Sequence, residues 1–255
     1  MERSCYINLK QDEAYSQYKD GLLLQEDIEN VYDEIDSKLR LPDLLGKTVR
    51  VNEKQFPELN LVIEKICSVE KIESPPVYVY EDYYYGAESY GISNPWIEIS
   101  AKTIQDFSAD ELQFILAREI YKIFDGITKQ KTMMEERFKI IRKVAADQFE
   151  KISKMEFYHW YRLANYTADN YGYLSCNNIG SSISAILMMV LNSRLLVNQT
   201  NIKEFIQQAS EINKLNDGVS NYTKADEAMP YAPHRIISLM AYAVSERGLN
   251  AKGGK

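Results

Sequence analysis

A chain of 255 residues with 45% apolar residues is long enough to bury a sizeable core, and a net charge of −7 gives no support for nucleic-acid binding. Only two histidines and three cysteines occur, without Cys-x-x-Cys or His-x-x-x-His spacing, so a metal site built from them would need an unusual convergence. The unpatterned cysteines and the lack of a hydrophobic leader predict a soluble protein of the reducing cytoplasm.

Taken in chain order, residues 1–47 read as an N-terminal helical segment. Its helix is expected over 22–40, with Glu26, Asp27, Glu29, Asp33, Glu34 and Asp36 on a solvated face. Val49-Arg50-Val51 leads into a helix over 56–70, and strands are expected over 77–81, 87–92 and 96–100. Gly86 to Gly91 lacks the Lys-Ser/Thr of a phosphate loop. Helices follow over 109–125, 130–156, 158–176, 180–197, 202–215 and 233–247, and the tail over 248–255 is expected to fray.

The helix over 109–125 has Asp110 and Glu111 in its first turn, Gly126 past its end, and a core stripe of Leu112, Ile115, Leu116, Ile120 and Ile123. Arg118 and Lys122 share another face. The charges over 129–154 alternate with apolar residues as in a surface helix. The most apolar run, Ile183 to Val197, is interrupted by Ser184, Asn192, Ser193 and Arg194 and is too short to span a bilayer, so no membrane insertion is expected. His159, in the run Phe157-Tyr158-His159-Trp160-Tyr161, reads as packed in a core or interface. His234, at a helix start, reads as a surface residue.

Ala117-Arg118-Glu119-Ile120-Tyr121-Lys122 has the form of a His-Glu-x-x-His helix without its histidines. In that motif two imidazoles one turn apart hold Zn²⁺, and the glutamate activates the metal-bound water. Here a cation stands in each imidazole position. Around the motif come Gln55-Phe56-Pro57-Glu58-Leu59, Pro76-Val77-Tyr78-Val79-Tyr80, Gly86 to Gly91, Trp96-Ile97-Glu98-Ile99-Ser100, Asn165 to Cys176 and Met229-Pro230-Tyr231-Ala232-Pro233-His234-Arg235-Ile236. In order and spacing this resembles the HtpX and CAAX-prenyl-protease-like zinc metallopeptidases, metallopeptidase family 48, over residues 48 to 245, as a degenerate member.

The resemblance implies an α+β, mainly α, zincin-like (gluzincin) fold over 48–247, with a small mixed sheet beside the Glu119 helix. It places the former metal ligands at Arg118, Lys122 and Asn165, a vestigial general base at Glu119, a retained aspartate at Asp169 followed by Gly172, Met229 where some members have an assisting histidine, and a retained Arg235. No zinc cofactor is expected, because two fixed cations repel a dication and an amide oxygen replaces a carboxylate poorly. Glu119 can instead pair with Lys122 at i+3, and Arg118 can reach Asp169 or Asn165 if the helices cross as the family's do.

Tyrosine is the compositional outlier, at 19 residues. Several flank Gly86, Ala87, Glu88, Ser89 and Tyr90, where family members offer an edge strand to an extended peptide. Alternating tyrosines equally suit half-buried strands. Three functions stay open: a pseudopeptidase binding a peptide or protein partner in the former cleft, an enzyme using Glu119 and Arg235 or a metal from elsewhere, and a structural subunit acting through its surface helices.

Overall fold

A computed structural model describes residues 1–19, 25–144 and 147–253. After a 3-10 turn at Arg3–Cys5, α1 (Gln11–Lys19) and α2 (Gln25–Val31) are followed by a π turn at Tyr32–Asp36 and by α3 (Ser37–Lys47). Next come β1 (Val49–Arg50), α4 (Pro57–Glu70), β2 (Val77–Tyr80), β3 (Ala87–Tyr90), β4 (Trp96–Ser100), α5 (Ala101–Asp106) and α6 (Ala109–Phe124). The remainder is α7 (Ile127–Val144), α8 (Asp147–Cys176), α9 (Ile179–Leu191), α10 (Arg194–Val197), α11 (Ile202–Lys214), α12 (Gly218–Asp226), α13 (Ala232–Val244) and α14 (Glu246–Gly253). The fold is thus mainly helical with one small mixed sheet. Among the described residues no helix is long and apolar enough to cross a membrane.

The sheet order is β1-β2-β4-β3, with β2 and β4 parallel and the other two pairs antiparallel. Ser89 lies opposite Ile97, and Glu88 opposite Glu98. Strand alternation therefore sends Ser89, Ile97 and Ile99 to the face that packs on α6, and Glu88, Tyr90, Trp96 and Glu98 to the other face. Ile97 and Ile99 join Phe114, Ile115 and Ile120 in the main core, whereas Trp96 packs with Tyr32, Leu44, Tyr78, Ile92 and Met133 in a separate cluster. β3 is one of the two edge strands, and it runs beside α6.

Two devices fix α6. Ser108 accepts a hydrogen bond from the Glu111 N–H while the Glu111 carboxylate accepts from the Ser108 N–H, a reciprocal cap that satisfies two orphan donors. α8 then crosses close by, through Ala164, Ala168 and Gly172. A Cβ at Gly172 would lie 2.8 Å from the Phe114 carbonyl oxygen and 2.9 Å from Arg118 Cγ. Gly172→Ala is accordingly expected to destabilise by about 1–3 kcal/mol through overpacking, against a helix-propensity gain of roughly 1 kcal/mol. Urea denaturation measures the balance, and a stabilised variant would show that the helices do not approach this closely.

Several boundaries differ from expectation. No break falls at 157, because Phe157, Trp160, Tyr161 and Ala164 form one buried stripe along α8. Residues 145–146, within the helix expected over 130–156, lie outside the described residues. The helix expected over 180–197 divides, since Asn192 at φ 51° ends α9 and the Ser193 side chain caps α10. Of the helix expected over 22–40, residues 22–24 lie outside the described residues, and the far end carries on through Pro42 to Lys47, anchored by buried Leu44. α1, α5 and α12 were not anticipated.

Described residues from 1–47 and from the tail pack on the main body. Tyr6, Ala14 and Tyr18 belong to the main core, and Tyr18 stacks on Trp160. The tail is helical to Gly253, with Arg247 donating to the Ser4 and Ile7 carbonyls. Gly254 and Lys255 lie outside the described residues. His159 is exposed and not packed in a core: the α8 stripe that includes Trp160 turns it outward. His234 is partly buried and shares a hydrogen bond with Asn213.

Candidate functional site

Three helices and the edge strand bring most of the singled-out residues together. α6 supplies Arg118, Glu119 and Lys122, α8 supplies Asn165 and Asp169 one turn apart, α13 supplies Arg235, and β3 supplies Ser89. Exposures run from 0% for Asn165 to 7% for Arg235, so the cluster is closed to bulk solvent.

Every carboxylate oxygen in it is engaged. Glu119 Oε1 accepts from Lys122 Nζ at 2.8 Å, and Glu119 Oε2 accepts from the Ser89 N–H at 3.0 Å and the Ser89 hydroxyl at 2.9 Å. Asp169 accepts from Arg235 Nε at 2.9 Å and Nη2 at 2.8 Å, a two-pronged pairing. Arg118 Nε lies 2.6 Å from Asp169 Oδ1, yet its N–H is not directed at that oxygen, so this contact is an ion pair and not a hydrogen bond. Arg118 Nη2 donates to Asn165 Oδ1 at 3.3 Å, and Asn165 Nδ2 donates to the Tyr161 carbonyl. Both expected contacts of Arg118 are present together with the Glu119–Lys122 pair.

Burial alone would push both carboxyls up. For Glu119 the charges of Lys122 and Arg118, with the bonds from Lys122 and Ser89, outweigh it and hold the group below its ordinary 4.5. For Asp169, Arg235 and Arg118 do the same relative to 3.8. Burial lowers Arg235, but Asp169 more than reverses it. Because both folded-state values are depressed, the unfolded chain binds more protons in acid. The stability these groups add is present above the unfolded values and is lost as pH falls through the folded ones. Stability against urea is expected to hold near neutrality and to fall below about pH 4.5. Glu119→Gln, though less stable throughout, is expected to show a shallower acid limb. An unchanged slope would mean Glu119 does not titrate with folding.

Met229 is partly buried against the main core in the segment before α13, and its N–H donates to Glu227; it lends no polar atom to the cluster. Gly86, Ala87, Glu88, Ser89 and Tyr90 line the sheet edge, but that edge is covered. Besides Ser89, the Gly91 N–H donates to Thr132 Oγ1 at 3.2 Å, and Ser89 Oγ shares a hydrogen bond with Thr128 Oγ1 at 2.7 Å. Thr128 and Thr132, one turn apart on α7, are both buried. Sequence reasoning missed them. Their signal was two hydroxyls at i and i+4 in an otherwise charged helix, marking a face that meets polar backbone.

The donor set does not fit zinc. A guanidinium and an ammonium have no lone pair to offer, and both are committed to carboxylates. Among the described residues no group of three His, Cys, Asp or Glu side chains converges in a way that could hold a metal ion. Glu119 is also poorly disposed as a base, since its lowered pKa, its charge pairing and its three accepted bonds hold it ionised and engaged. Compared with protein-family models, curated proteins and solved structures, the chain matches none.

Proposed function

We propose that this chain is a zinc-less homologue of the HtpX and CAAX-prenyl-protease-like peptidases that works by binding a protein partner and not by hydrolysis. The observation that supports this reading concerns the three positions the resemblance gives to that family's ligands: Arg118 pairs with Asp169, Lys122 pairs with Glu119, and Asn165 accepts from Arg118. An antiparallel edge strand beside the Glu119 helix supports the same reading. An enzyme using Glu119 and Arg235 draws no support, because both side chains are buried and paired.

The test is elemental analysis of the purified protein together with hydrolysis of an unfolded protein substrate. Expected are no stoichiometric zinc and no hydrolysis. One chelatable zinc per chain with chelator-sensitive proteolysis would overturn the proposal. The covered edge bears on where a partner binds. Strand addition along Gly86 to Tyr90 requires Glu119 to surrender the Ser89 N–H, so a second reading, contact through surface helices, is favoured by that buried bond.

A further inference from the structure

The sheet face opposite Glu119 carries a cavity of about 420 Å³ between α3, α7 and the outward residues of β3 and β4. Tyr90 and Trp96 form its wall, stacked at 6.0 Å and 29°. Behind them the Glu98 carboxylate, 8% exposed, is fixed by the Trp96 indole N–H at 2.9 Å. A buried carboxylate beside stacked rings supplies both attractions that an organic cation meets in proteins, a charged acceptor and an aromatic face. The ionisable lining is Asp43, Glu98, Glu135 and Glu136 against Arg40 and Lys139, which leaves an excess of two negative charges.

The chain already places its own cations here. Arg40 Nη2 lies 2.9 and 2.8 Å from the two Glu98 oxygens, although the Arg40 side chain is 46% exposed. Lys131 Nζ stands 4.6 Å above the Tyr90 ring. Arg40 is thus a guanidinium held at the mouth by one buried acceptor, on a side chain free enough to swing out.

We propose that this cavity receives an arginine side chain from a partner protein, with Glu98 as its carboxylate, Trp96 and Tyr90 as its stacking wall, and Arg40 as the resident guanidinium that the partner's displaces. Arginine suits it better than lysine because its plane stacks on rings, its fork matches a carboxylate and it sheds water more readily. A protein source follows from the rim. Leu39 opens a stripe with Ile35 and Val31 at four-residue steps, all more than half exposed, and residues 25–47 carry seven acidic against three basic side chains. The partner's matching chemistry is a basic, amphipathic helical segment. The cavity faces away from Glu119, so the inference does not rest on the peptidase reading.

The test is calorimetric titration of the full chain with a helical Leu/Arg peptide and with the same peptide carrying citrulline, the neutral isostere, at every arginine. The arginine peptide is expected to bind about tenfold more tightly or better. Arg40→Ala is expected to tighten binding several-fold more than Lys38→Ala, which removes the same charge from the same helix outside the cavity. Glu98→Gln, checked for folding by its melting curve, is expected to lose the arginine preference. Equal binding of the two peptides would overturn the proposal. So would indistinguishable effects of Arg40→Ala and Lys38→Ala, which would signify only general attraction to an acidic surface. N-acetylarginine methylamide binding as tightly as the peptide would reassign the cavity to a free small molecule and overturn the protein partner.

Discussion

Asp169→Asn is expected to be the most damaging single substitution in the buried cluster, costing about 3–5 kcal/mol of folding free energy. For a chain of this size that is roughly 6–20 °C in Tm. The reason is counting as much as geometry. Arg118, Lys122 and Arg235 face only Glu119 and Asp169, so the cluster already carries one surplus positive charge. Removing Asp169 raises that surplus to two and strips both guanidiniums of their nearest counter-ion. Arg235→Met works the other way: Asp169 keeps Arg118, and the cluster becomes neutral. It is expected to cost clearly less, even though Asp169 loses two hydrogen bonds. Equilibrium urea denaturation of the two variants decides the matter. An Arg235→Met cost equal to or above that of Asp169→Asn would mean that hydrogen bonding, not charge balance, governs the site.

Such a cluster was only partly legible in the chain. The Glu119–Lys122 pair follows from helical spacing alone, because residues three apart share a face whatever surrounds them. α6 was readable for a similar local reason: Asp110 and Glu111 in its first turn, Gly126 past its end and its apolar stripe lie within one segment, although its Ser108 cap was not singled out. The meeting of Arg118, Asp169 and Arg235 depends on three helices that are far apart in sequence, and only the resemblance brought them together. Nothing local announced the covering of β3 by α7. The spacing of Thr128 and Thr132 marks a polar face but not what it meets, since their partners, the Ser89 hydroxyl and the Gly91 N–H, lie about forty residues away. The expected boundary at 157 failed differently, because an aromatic run reads as a break or as core with equal ease until its neighbours are known. Short helices such as α12 were missed since they expose most of their residues and so show little periodic burial.

Replacing the three misfit positions together, as Arg118→His, Lys122→His and Asn165→Glu, is expected to convert the cluster into a zinc site whose folding depends on the metal. Positions 118 and 122 are one turn apart on α6, and Asn165 Oδ1 already meets the Arg118 guanidinium at 3.3 Å, so α8 brings position 165 across from position 118. Two imidazoles, a carboxylate and water are a sufficient catalytic-type ligand set. Charge makes the effect large. Without metal the variant holds Glu119, Asp169 and the new glutamate against Arg235 alone, a surplus of two negative charges in a buried site, and it is expected to melt well below the parent. Zinc cancels that surplus. At a thousandfold excess over Kd, linkage contributes about 4 kcal/mol of stability, so added zinc is expected to recover most of the loss and a chelator to abolish it. Peptidase turnover is not required by this argument, because Met229 stands outside the cluster and supporting groups alone change activity by roughly 10–100-fold. Melting curves with zinc and with chelator give the answer, with the double variant that keeps Asn165 as the control lacking the third ligand. A folded triple variant whose Tm ignores zinc would mean that the three positions do not converge, and the peptidase reading would fall with it.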